Sequence, residues 1–114
     1  MLVTVLHGQT NRDTFEVENH EPVAKFDFSG EADCINDALE LAYEHTNNLR
    51  DSWSLTGSRD SHPSLELLQP RPIYNGDEYG HRSSMLGDLM EVFVDGSDTP
   101  QTYKVATFGF DRIS

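Results

Sequence analysis

The stretch from Asp33 to Leu49, DCINDALELAYEHTNNL, constrains the fold more than any other part of the chain. Ile35, Ala38, Leu39, Ala42, Thr46 and Leu49 recur at steps of three and four, with Thr46 the one polar member. Such a stripe is the apolar face of a helix. Ala, Leu and Glu fill the middle, and all three lose little freedom in a helix. Asp33 is placed to cap the N-terminus, and Asp37 adds negative charge near the positive end of the helix dipole. Asn47-Asn48 supplies a stop, because Asn tolerates the left-handed conformation. The spacing predicts one long amphipathic helix from Asp33 to Leu49.

Opposite the stripe stand Asp33, Asp37, Glu40 and Glu44, at steps of four, three and four. A helical turn rises about 5.4 Å, so these carboxylates form a row about one turn apart, with no Lys or Arg between them. Each like-charge neighbour costs a few tenths of a kcal/mol, about what packing of the other face offsets easily. Two readings follow. The row is a solvated outer face, or it is a negative rod that meets a basic partner.

Charge supports asking the question. The 114 residues carry a formal net charge of −12. Residues 1–51 hold eleven acids against three bases, and residues 52–114 hold nine against five. Such a surface disfavours binding to nucleic-acid phosphates and to anionic membranes, and it steers basic partners inward. Acidity also serves solubility and salt adaptation. Only two of the eight basic residues are lysine, which fits salt adaptation or a GC-rich coding bias. The length fits one domain, 1–114, with enough chain for a core without disulfide or metal. No apolar run is long enough to span a membrane, and MLVTVLHG lacks the features of a signal peptide. The single Cys34 is compatible with a reducing cytoplasm.

Along the chain, Leu2–Leu6 reads as a strand, and Gly8–Asp13 as a turn. Phe15–Asn19 alternates as a second strand, Pro22 interrupts, and Val23–Phe28 is a third. Arg50–Ser64 is a long loop, with Trp53 and Leu55 pinning it to the core. Leu65–Leu68 is a short strand. Pro70 and Pro72 bracket Arg71 and prevent ladder pairing there. Asn75-Gly76 is a turn signal. Gly87-Asp88 turns into a strand, Leu89–Val94. After the loop from Asp95 to Pro100, Tyr103–Phe110 pairs back as a hairpin, with Gly109 marking a bulge or close approach. Ile113 is expected to tuck in. The fold class is α+β: a small antiparallel sheet of four to six strands with the long helix packed on it.

No catalytic, cofactor or metal signature stands out. His7, His20, His45, His62 and His81 are scattered, with no convincing ligand spacing to another His, Cys or carboxylate. His45 follows Cys34 by three helical turns, too far for a dyad. Cys34 is expected to be a buried structural residue, and Tyr43 and Trp53 to be core. The chain is therefore read as non-enzymatic and without cofactor.

The block GHRSSMLGDLMEVFVDG…TYKVATFGFDRI, Gly80 to Ile113, resembles the tail of small phage and plasmid accessory proteins, the YodL-like domain of mobile elements. The matching positions are Arg82, Ser83, Ser84, Gly87, Asp88, Asp95, Gly96, Gly109 and Phe110. The stretch FSGEADCINDALELAYEHTNN is similar to the helix that precedes this block in some of them. The resemblance implies mobile-element origin and action in a host cytoplasm, and it transfers no catalytic residue. Turn chemistry accounts for most of the pattern. It leaves Arg82-Ser83-Ser84, either a binding element or an Arg paired with a local acid beside two turn-forming serines.

The first functional expectation is an acidic accessory protein that binds a basic host or defence protein. Its contacts would be Asp33, Asp37, Glu40 and Glu44, with Arg82, Ser83 and Ser84 as a second element. In a sharper form, the carboxylates stand in for backbone phosphates and occupy a cationic groove. The alternative is a small nucleic-acid or ligand-binding module, with Tyr79, Arg82, Phe108 and Phe110 as a stacking face. That alternative needs a basic island around Arg71 and Arg82.

Overall fold

A computed structural model describes residues 1–48, 52–55 and 61–114. The strands are β1 (Leu2–Thr10), β2 (Val17–Asp27), β3 (Glu66–Leu67), β4 (Ile73–Tyr74), β5 (Asp77–Glu78), β6 (Leu89–Phe93), β7 (Gln101–Val105) and β8 (Phe110–Arg112). One helix, α1 (Ile35–His45), lies between β2 and β3 in the chain. Six strands form one antiparallel sheet in the order β3-β2-β1-β6-β7-β8, and β4-β5 is a separate hairpin. The fold is α+β.

β1 sits near the middle of the sheet because both of its edges find partners far apart in the chain. Val3 faces Phe26 on β2 and Val92 on β6; Val5 faces Ala24 and Met90. Strand alternation puts these side chains on one face. They form the core with Ala38, Leu39 and Ala42 of α1, all fully or almost fully buried. The two alanines let the helix come close to the sheet. Thr4, Leu6, Lys25, Leu89, Glu91 and Lys104 alternate with core residues along the same strands, so they project from the opposite face.

The helix has 11 residues and is not long. Its N-cap is Cys34, in extended conformation with no side-chain cap bond, and Asp33 precedes it. At the other end Thr46 stops it one residue before Asn47-Asn48. The Thr46 hydroxyl donates to the Ala42 carbonyl at 2.6 Å, and Asn47 Nδ2 bonds the Tyr43 carbonyl. Such back-bonding competes with the next helical turn. Leu49 lies outside the described residues, as does part of the Arg50–Ser64 loop. Trp53 within that loop is fully buried, and Leu55 is half-buried.

Several local expectations give way to long-range pairing. β1 continues to Thr10, through the segment expected to turn. The two strands expected on either side of Pro22 are one strand, β2. Pro22 pairs opposite Leu6 at a register shift, and β3 covers only Ala24 and Lys25, so no neighbour on that edge needs the missing proline N–H. Phe15, expected in a strand, lies in the β1–β2 turn at φ 59° and is 82 % exposed. Tyr103–Phe110 divides into β7 and β8 at a turn. There Ala106 N–H donates to Gly109 O at 3.0 Å, and Gly109 takes φ 76°. Ile113 is exposed rather than tucked in, and Cys34 is exposed rather than buried. Tyr43, expected in the core, is on its rim. The Asn75-Gly76 turn forms as its residues require, both at positive φ, between β4 and β5.

Gly8 marks the tightest approach in the sheet. A Cβ there would stand 2.4 Å from Val17 Cγ1 and 2.9 Å from the His20 ring. Gly8→Ala is expected to destabilise the protein by about 2–3 kcal/mol, read as a lower urea midpoint. An unchanged midpoint would show that Val17 and His20 yield freely.

Candidate interaction surface

A buried polar hub joins three segments. Asp88, immediately before β6, is fully buried. Arg82 grips it as a fork, Nη1 to Oδ2 at 2.8 Å and Nη2 to Oδ1 at 2.9 Å. Gly8 N–H adds a bond to Oδ1 at 3.0 Å and Met85 N–H one to Oδ2 at 2.8 Å. Each carboxylate oxygen thus accepts two bonds, which is what a buried charge needs. Burial by itself would raise the Asp88 carboxyl. The Arg82 guanidinium and the two backbone N–H groups outweigh it and hold the carboxyl below its usual range.

His7 borders the hub. Its Nε2 lies 3.0 Å from Ser84 Oγ and 3.9 Å from Asp88 Oδ2. Burial, reinforced by the Arg82 charge and partly opposed by Asp88, lowers the imidazole to about 4. Ser84 also bonds Thr46 through both its hydroxyl (2.6 Å) and its N–H (2.8 Å). Ser83 Oγ accepts from Asn48 N–H at 2.8 Å. Trp53 Nε1–H donates to Arg82 O at 2.9 Å. Arg82, Ser83 and Ser84 thus all hydrogen-bond to other segments, and only Ser84 of the three is buried. This is the local-acid reading of Arg82. Asp88 itself was read only as a turn residue, since nothing local distinguishes a turn aspartate from a buried one.

The four carboxylates of the predicted row behave differently. Asp33, Glu40 and Glu44 are exposed, and Asp37 is half-buried. Asp33 N–H donates to Asp37 Oδ2 at 3.4 Å, and Asn36 Nδ2 to Glu40 Oε1 at 3.3 Å. Glu31, from the turn before the helix, joins Asp37, Glu40 and Glu44 around a shallow depression of about 250 Å³. α1 contains no Lys or Arg, and both lysines lie on the far side of the sheet. Among the described residues, the helix face therefore carries negative charge with no Lys or Arg on the helix itself.

Beside it, a groove of about 350 Å³ runs between α1 and the β7–β8 turn. Tyr43 and Phe110 meet edge to face, centroids 6.3 Å apart, and line it together with Val105, Ala106, Glu40 and Glu44. Periodicity could not find this groove, because Tyr43 and Phe110 are far apart in the chain. A second, more polar groove of about 550 Å³ holds His7, Asn48, Tyr74, Tyr79, His81 and Arg82. Tyr79 and Arg82 thus line one groove while Phe110 lines another, and Phe108 stands 92 % exposed on the β7–β8 turn. The expected stacking face is not continuous. Arg71 does not add a free basic island either, since its Nε–H donates to Ser54 O at 2.8 Å.

A third polar cluster was invisible in the sequence. His62 Nε2 faces the Glu31 carboxylate at 2.8 Å, and its Nδ1 takes the N–H of Ser64 at 3.0 Å. A backbone N–H only donates, so Nδ1 is the acceptor and Nε2 carries the proton towards Glu31. His45 packs edge-on to His62 at 4.8 Å, and Phe26 and Phe28 flank it. Ser64 Oγ also lies 2.8 Å from Nδ1 while accepting from Asp27 N–H at 3.0 Å. These bonds close the turn onto β2. Among the described residues no group of His, Cys, Asp and Glu is placed to hold a metal ion. No helix among them is long and apolar enough to cross a membrane.

Compared with known protein families, with curated proteins and with solved structures, the chain matches none.

Two outcomes follow from the hub. His7 has a lowered pKa in the folded protein, so its contribution is complete above the unfolded value of 6.5 and is lost as pH falls towards about 4. The expected loss from His7 between pH 7 and pH 4 is about 3 kcal/mol, and His7→Gln should flatten that part of a urea-midpoint profile. Asp88, also lowered, adds a further loss only as pH falls below 3.8. Arg82→Met strands the buried carboxylate and should cost about 3–5 kcal/mol at pH 7. A cost under about 0.5 kcal/mol, the range of ordinary surface changes, would mean that Asp88 finds other partners.

Proposed function

We propose that this protein is a non-enzymatic interaction protein whose acidic helix face binds a basic partner protein. One observation supports the reading above the others. The carboxylate at Asp88 is fully compensated by neighbours, whereas Asp33, Glu40 and Glu44 are exposed and Asp37 half-buried, on and just before a helix that carries no Lys or Arg. Exposed charge of one sign raises the encounter rate with an oppositely charged surface. The resemblance to phage and plasmid accessory proteins suggests a host or defence protein as that partner. In the nucleic-acid mimic form, the partner's basic surface is one that otherwise holds phosphates.

A second reading, a small ligand-binding module, draws on the polar groove between His7 and Arg82. Its aromatic pair, Tyr74 and Tyr79, stands 5.5 Å apart at the mouth. The neighbouring Arg82 brings no unpaired positive charge to it, so a neutral ligand fits that groove better than a nucleic acid.

The test is capture from bacterial lysate with wild type beside Asp33→Asn/Asp37→Asn/Glu40→Gln/Glu44→Gln. The variant is expected to keep its fold, since like-charge repulsion is relieved by about a few tenths of a kcal/mol per pair. A basic protein held by wild type, released by about 0.5 M salt and lost by the variant is the expected result. Displacement of the same protein by duplex DNA identifies the mimic form. Retention by the neutralised variant would refute the acidic-face assignment.

A further inference from the structure

We propose that the groove between α1 and the β7–β8 turn receives an arginine side chain of the basic partner. The inference rests on the acidic-face reading above and names the feature that the partner must carry.

The groove pairs two recognition elements that arginine satisfies together. Glu40 and Glu44, one helical turn apart, line it beside the Tyr43 and Phe110 rings, which contact each other edge to face and leave the aromatic surface of that pair to the groove. A guanidinium is planar, stacks on aromatic rings and bonds carboxylates through two N–H groups at once. Its three-carbon stem is apolar and covers a surface such as Val105 and Ala106. A lysine offers the charge and the stem but not the flat, forked head. An anion is repelled by the two glutamates. At about 350 Å³ the groove lies at the lower end of ligand sites and admits a side chain rather than a helix.

The surroundings look like the centre of an interface. The β7–β8 turn separates this groove from a second depression, which shares Val105, Ala106 and Thr107 and is also lined by Phe15 and Leu86. Phe108 at the turn is 92 % exposed, Phe15 82 % and Leu86 53 %. Three large apolar side chains thus stand in solvent around one turn, and aromatic anchors beside charged groups are where binding energy concentrates. Two copies of this chain would each bring −12 to such a contact, which favours a basic partner over self-association.

The experiment is an amide-resolved NMR titration of the full chain with two synthetic peptides of equal length and charge, one alternating Arg and Leu, the other Lys and Leu. The Arg peptide should shift the amides of Val105 to Phe110 and of Tyr43, and bind about fivefold tighter than the Lys peptide. Tyr43→Leu keeps the bulk and removes the aromatic face. It should lower Arg-peptide affinity by about three- to tenfold while leaving Lys-peptide affinity nearly unchanged. Glu40→Gln/Glu44→Gln should weaken both. Shifts confined to Asp33, Asp37 and their neighbours, with equal affinity for both peptides, would overturn the groove and leave the acidic-face reading standing. If neither peptide shifts any amide, both readings fail. Line broadening that grows with protein concentration and ignores peptide would assign the groove to a second copy and overturn the proposal.

Discussion

The buried Asp88 carboxylate is the constraint on which the rest of the structure depends. A charge with no access to water is tolerated only when its oxygens are fully bonded. Here the bonds come from Arg82, from Gly8 in β1 and from Met85. Satisfying Asp88 therefore pins the start of β6 against β1 and draws the 82–85 segment over both. Arg82 also donates to the Gly8 carbonyl at 2.8 Å, so the guanidinium closes the same junction from the other side. Gly8 can serve only as glycine, because Val17 and His20 occupy the space of any side chain. From this junction Ser84 reaches Thr46, and the C-terminus of α1 is fastened to the sheet. A helix of three turns is marginal alone, and this anchorage, with the Ala38–Leu39–Ala42 face, keeps it in place.

The same accounting of charge separates structure from surface. Asp88 is buried and consumed by folding, and Glu31 is engaged by His62, while Glu40 and Glu44 are left exposed on a helix that has no Lys or Arg. The two lysines sit on the opposite side of the sheet. The molecule therefore has direction: a negative, partly aromatic side around α1 and the β7–β8 turn, and a mixed side across the sheet. The proposed binding of a basic partner rests on that asymmetry, and the two buried histidines are committed to the fold. His7 is held neutral near the hub, and His62 is held between Glu31 and the Ser64 turn. Each serves the fold.

Local patterns in the sequence determined a good deal. A helix within Asp33–Leu49, although shorter than its periodicity predicts, the alternation in β1 and β6, the Asn75-Gly76 hairpin and the outward Glu40 and Glu44 all follow from periodicity or from residues with special backbone freedom. These signals act over a few residues, so one chain suffices to read them. Net charge is likewise a property of composition, and it survives any fold. What only the tertiary structure decided is whatever depends on partners distant in the chain. Pro22 does not end a strand, because the neighbour that would need its N–H is absent. The helix stops at Thr46, whose hydroxyl bonds back to the Ala42 carbonyl and also meets Ser84 from a distant segment. Arg82 is a structural clamp rather than a free cation, because Asp88 is buried six residues on. The groove of Tyr43 and Phe110 exists because the sheet order brings the last hairpin beside α1. No local preference encodes such meetings; they arise when burial and hydrogen-bond satisfaction are settled for the whole chain at once.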